Sequence, residues 1–83
     1  MRFYLATAQA IPDGVDLLPP LQSGSTFLLA CVADALPTGA AILHAGDPAQ
    51  ASRHWWDELD PILLANLEQR FGAAFWVRIG HFA

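Results

Sequence analysis

Apolar residues recur along this chain in distinct rhythms, and each rhythm predicts an element. The first is alternation. Residues 2–9, "RFYLATAQ", begin with strand formers and put Phe3, Leu5 and Thr7 on one face, which predicts a β-strand. The second is a continuous run. Residues 25–35, "STFLLACVADA", are apolar at odd and even positions alike, as in a central strand covered on both faces. A third short strand, "AAILHA" at 40–45, follows the turn residues "LPTG". That close spacing predicts a hairpin with the second strand. Between the first two strands, "AIPDGVDLLPPLQSGS" is rich in Pro, Gly, Asp and Ser. It reads as a long connection that Leu17, Leu18 and Leu21 could pin to the body.

The third rhythm has a period of four. Trp55, Leu59, Leu63, Leu67 and Phe71 form a row, flanked by Ser52, Trp56 and Ile62, which predicts a helical stripe packed on the sheet. Start signals occur twice. Asp47 with Pro48 and Gln50, and Asp60 with Pro61, each place a capping side chain before a proline suited to a first helical position. Proline in a helix interior deletes a hydrogen bond and clashes with the preceding turn. The stripe therefore belongs to two helices, 48–59 and 61–71, or to one helix kinked near Asp60. Gly72 is the stop. Residues 73–82, "AAFWVRIGHF", alternate Phe75, Val77, Ile79 and His81 against Trp76, Arg78, Gly80 and Phe82, which predicts a final strand.

The order is β-β-β-α-β. It predicts one α+β domain over residues 1–83, built in two layers. A small, four-stranded, mainly antiparallel sheet packs on one kinked helix or two short ones. Helices on one side leave the opposite sheet face uncovered.

Composition sharpens this picture. Apolar residues make up 54% of the 83-residue chain and charged residues 14%, so a thin core cannot hide all the apolar surface. No membrane span accounts for the excess, because the longest unbroken apolar run is the seven residues "FLLACVA" at 27–33. The segment after Arg2 soon meets Gln9, Pro12 and Asp13, unlike a secretory signal. The excess therefore points to a protein partner or to self-association. The net charge is −4, with four arginines and no lysine, which argues against nucleic acid. Arginine without lysine, together with many alanines, points to a high-GC bacterial or phage genome. The lone Cys31, inside an apolar run, reads as a buried thiol and fits a reducing compartment such as the cytoplasm.

Chemistry concentrates in "RHWWDELDP" at 53–61. His54 and Glu58 are four apart and could share an ion, but the further ligands would have to come from His44 or His81. There is no phosphate loop, nucleophile elbow or metalloprotease motif. The alternative of a small homo-oligomeric enzyme or metal-binding protein using His54 or His44 with carboxylates thus rests on two-residue pairings. The preferred expectation assigns no catalytic, cofactor or metal residue. It is a small acidic regulatory protein, of inhibitor, antitoxin or immunity type, that binds another protein or itself. The expected contact joins Trp56, at the edge of the stripe, to Asp57 and Glu58. The competing surface is the uncovered sheet face, with Tyr4, Trp76 and Phe82 as anchors.

Overall fold

The structure, a computed structural model, describes residues 1–36, 38–50 and 55–80. Its framework is a central strand paired on both sides. Strand β1 (Arg2–Ala8) runs antiparallel to β4 (Thr26–Ala33), from Arg2↔Ala33 to Ala8↔Phe27. On its other side it runs antiparallel to β5 (Ala41–Gly46), from Phe3↔Gly46 to Thr7↔Ala41. A register shift between Leu5 and Ala6 leaves Leu43 as an extra, bulged residue on β5.

The outer side of β4 holds two short pieces, β2 (Asp16–Leu17) and β3 (Leu21–Ser23). They form one edge strand interrupted at Leu18, Pro19 and Pro20. Proline has no N–H to give a ladder and is confined to sheet edges. Leu18 keeps the alignment across the break, its N–H donating to the Ala30 carbonyl at 3.4 Å. The sheet is thus four ribbons wide and wholly antiparallel, in the order (β2+β3)-β4-β1-β5. The α+β class and antiparallel sheet match the expectation.

The hairpin lies elsewhere than expected. It joins β3 to β4, where Ser23 pairs with Thr26 across Gly24 and Ser25. Gly24 has φ 60°, which places glycine at the first central position, as a II′ turn requires. β4 and β5 do not pair, because β1 lies between them. They run parallel, so residues 34–40 must travel the length of the sheet. Residues 9–15 make the same journey between β1 and β2, which flank β4. From Phe27 to Val32, β4 spans about 17 Å. Eight peptide steps reach at most ~26–29 Å, so each connection is long enough to cross, and the first does so with bends at residues 9–10 and 13–15. The right-handed rule for such crossings places both on the same face.

Phe3, Leu5, Leu28 and Ala30 face the helices and form one core with Leu59, Leu67 and Phe75. The opposite face carries Tyr4, Ala6, Ala8, Leu29, Cys31 and Ala33, and all six are buried as well. Both faces of the central strands are covered. The expectation of an open sheet face is therefore overturned.

The helical layer begins with turns. Asp47 accepts a 2.9 Å bond from the Ala49 N–H, starting a single 3₁₀ turn at Pro48–Gln50. A second 3₁₀ turn spans Trp55–Glu58 and is closed by the Leu59 N–H on the Trp56 carbonyl at 3.1 Å. The predicted helix 48–59 is thus replaced, where described, by two 3₁₀ turns. Asp60, with extended backbone (φ −57°, ψ 127°), ends the second turn and caps α1 (Pro61–Phe71). Its carboxylate accepts from the Ile62 N–H at 2.9 Å. Gly72, at φ 70°, closes α1 by donating to the Glu68 carbonyl at 2.7 Å. Leu59 and Leu67 are buried, while Trp56, Leu63, Leu64 and Phe71 pack at the border of the core. Ser52 lies outside the described residues, as does the side chain of Trp55.

The predicted last strand is a helix, α2 (Ala74–Gly80), so the order ends in α rather than β. The Phe75 N–H donates to the Gly72 carbonyl at 3.0 Å and begins the new turn immediately. Burial shows why alternation misled. Phe75 is fully buried and Arg78, three residues on, is half-buried, while the adjacent Trp76 and Val77 are both exposed. Positions three apart share a helix face but lie on opposite strand faces.

Two substitutions test this layering. Leu67, 2% exposed, should lose ~2–5 kcal/mol on change to Ala. Ile62, 71% exposed, should lose less than about 0.5 kcal/mol beyond helix propensity. Urea denaturation of both variants measures the contrast, and equal losses would mean the helix phase is wrong. Asp60→Ala should cost ~0.5–2 kcal/mol through the lost cap, read by the same titration.

Candidate docking surface

The segment before α1 is anchored at alternate points. Leu59 enters the core and Trp56 packs against its border. With those two held inward, the intervening Asp57 and Glu58 turn out to solvent. Asp60 is also exposed, with one carboxylate oxygen committed to its cap. Four of the eight carboxylates, Asp47, Asp57, Glu58 and Asp60, fall within 47–60. This stretch of the sequence is therefore predominantly acidic, with Arg53 its one basic residue besides His54.

The same layer exposes large apolar side chains. Ile62 is 71% exposed, Val77 66% and Trp76 39%. The ring of Trp76 tilts against Phe75, with centroids 5.2 Å apart, so the buried neighbour steadies the exposed one. Arg78 lies beside them in sequence with its Nε buried and without a hydrogen-bond partner. Ile62, expected to flank the stripe packed on the sheet, is instead exposed, and Val77 was expected on a strand. For Ile62 the signal was available, since it sits ~140° around the helix from Leu67. Val77 was hidden by the strand assignment.

The two expected surfaces are rearranged. Trp56, Asp57 and Glu58 lie together on one turn, as anticipated, but Trp56 is half-buried and contributes to the core. Trp76 belongs to the helical layer and not to the sheet. Tyr4 lies on the sheet face opposite Phe3 and Leu5 and is only 7% exposed, so it offers little surface to a partner. Phe82 lies outside the described residues.

The groups considered for chemistry are scattered. Cys31 is buried, and the loss of solvation pushes its thiol pKa up from the ordinary value. His44 is half-buried on the helix side of β5, its ring 6.1 Å from that of Phe3. His54 and His81 lie outside the described residues. Among the described residues no three of His, Cys, Asp and Glu gather closely enough to hold an ion. A hollow of about 400 Å³ lies between residues 8–13 and 38–40, where the two crossings meet at one end of the sheet. Among the described residues no helix is long and apolar enough to cross a membrane. No known protein family, curated protein or solved structure matches the chain.

The Cys31 environment gives a pH prediction. Its folded-state pKa lies above the unfolded value, so the folded chain keeps the proton to higher pH. The contribution to stability is whole below the unfolded thiol's ordinary value, near 9.0, and is lost as pH rises beyond it. Stability of the wild type should therefore fall more steeply above that pH than stability of Cys31→Ala. Melting temperatures across alkaline pH measure the difference, and parallel curves would contradict the assignment.

Proposed function

We propose that the chain is a small acidic protein-binding module whose helical layer is its docking surface. The observation that carries this reading is the exposure of Ile62, Trp76 and Val77 in the layer that also presents Asp57 and Glu58. An apolar centre supplies affinity, and carboxylates at a rim supply steering and salt dependence. A regulatory role of inhibitor, antitoxin or immunity type, in a bacterium or phage, fits such a chain. A reducing setting such as the cytoplasm fits its single buried thiol.

The anchor in this reading is the Trp76–Val77 pair in preference to Trp56. Truncating Trp56 removes a residue packed against the core, so lost binding and lost stability would be entangled. Trp76 and Val77 are more exposed, and changes there separate the two effects.

The test is affinity purification from the native host, with wild type and the double variant Trp76→Ala, Val77→Ser in parallel. The wild type should retain a partner that the folded double variant loses, with at least one residue worth ~2 kcal/mol or more in binding. Reversing charge at Asp57 and Glu58 should slow association chiefly at low salt. Retention of the same partner by the double variant would move the docking surface elsewhere.

A further inference from the structure

We propose that two copies of the chain pair antiparallel through β5, edge to edge, and extend the two sheets into one. This uses the sheet edge and not the helical layer, so it stands independently of the docking reading above.

The two edges of the sheet are built differently. The β2+β3 edge is blunted, because its pieces are two and three residues long and Pro19 and Pro20 interrupt them. Short pieces and proline are among the devices by which proteins keep edges from pairing. β5 has six residues, "AILHAG", with no proline and no Asp, Glu, Lys or Arg. Among the described residues no strand pairs with its outer side. Unpaired strand N–H and C=O groups recognise another extended strand. Ile42, on this edge, is 54% exposed.

Charge selects the occupant. Each copy carries −4, so self-association needs a contact without carboxylates. Residues 35–46 supply one, since Asp34 and Asp47 are the nearest acids on either side. A basic partner would instead be drawn to the acids of 47–60. Charge also selects the direction. If Ala41 of one copy faces Gly46 of the other, each Asp47 lies beside the other copy's Ala40. The two Asp47 residues are then about 23 Å apart along the ribbon, beyond the ~8–10 Å over which exposed charges interact. In-register parallel pairing would set them about 5 Å apart. The bulge at Leu43 adds local twist to β5. A second β5 brings the same twist, where a flat peptide would not.

Sedimentation equilibrium over a range of concentrations tests the pairing. The probes are the wild type, Ile42→Lys, Ala41→Lys and, on the helical layer, Ile62→Lys. All three sites are exposed, and circular dichroism identifies the variants that remain folded. The wild type should show twice the chain mass. At least one folded β5 variant should weaken association about tenfold or more, while Ile62→Lys leaves it unchanged. Amides of residues 41–46 should gain exchange protection as wild-type concentration rises. A wild type that stays monomeric up to about 1 mM overturns the proposal. So does dissociation by Ile62→Lys with β5 variants unaffected. If neither β5 variant folds, concentration-independent exchange at 41–46 overturns it alone.

Discussion

β1 pairs along its length with β4 on one side and β5 on the other, and most of the architecture follows from that. With β1 occupying the middle, β4 and β5 are parallel and separated by a strand. The same holds for β1 and the β2+β3 ribbon across β4. Neither connection can then be a tight turn. Each has to lie along the sheet, and the shared hand of such crossings sends both to one face. Leu29 and Cys31, on one face of the sheet, are as well buried as Leu28 and Ala30 are under the helices.

This arrangement changes where the apolar excess goes. Much of it is absorbed by a sheet buried on two faces. Among the described residues, what remains exposed includes Ile62, Trp76 and Val77 on the helices and Ile42 on the sheet edge, besides Met1 and Ile11. The first four sit on regular elements. A rigid element presents a side chain at little entropic cost to binding.

The parts legible in the sequence were those specified by neighbouring residues. The rhythm of Phe3 and Leu5, the two-sided run Leu28–Cys31 and the caps at Asp60 and Gly72 each depend on local spacing or side-chain chemistry. The misreadings are cases in which a partner distant in sequence decides. Seven residues between β4 and β5 suit a hairpin or an extended crossing equally, and only the insertion of β1 chooses between them. Residues 16–23 looked like loop because Pro19 and Pro20 break a strand whose pieces β4 holds in line. At 74–80, alternation and helical spacing are both compatible with so apolar a string, and burial of Phe75 beside α1 settles it. For the candidate site, the exposure of Asp57 and Glu58 was legible, since it follows from turn geometry. The burial of Tyr4 was not, since it depends on parts of the chain distant in sequence.

The central position of β1 also has a temporal consequence. β1 precedes both of its neighbours in the chain, and its partners lie far along it: Arg2 pairs with Ala33, and Phe3 with Gly46. Its apolar residues must wait, unpaired, for half the chain to follow. Contacts of such sequence separation raise contact order, and high contact order slows folding. The β3–β4 hairpin, joined by two residues, can close within microseconds and offers the template onto which β1 must then be recruited. Folding should accordingly be limited by docking β1 between β4 and β5, and the interval before that docking is when the chain is most exposed to aggregation.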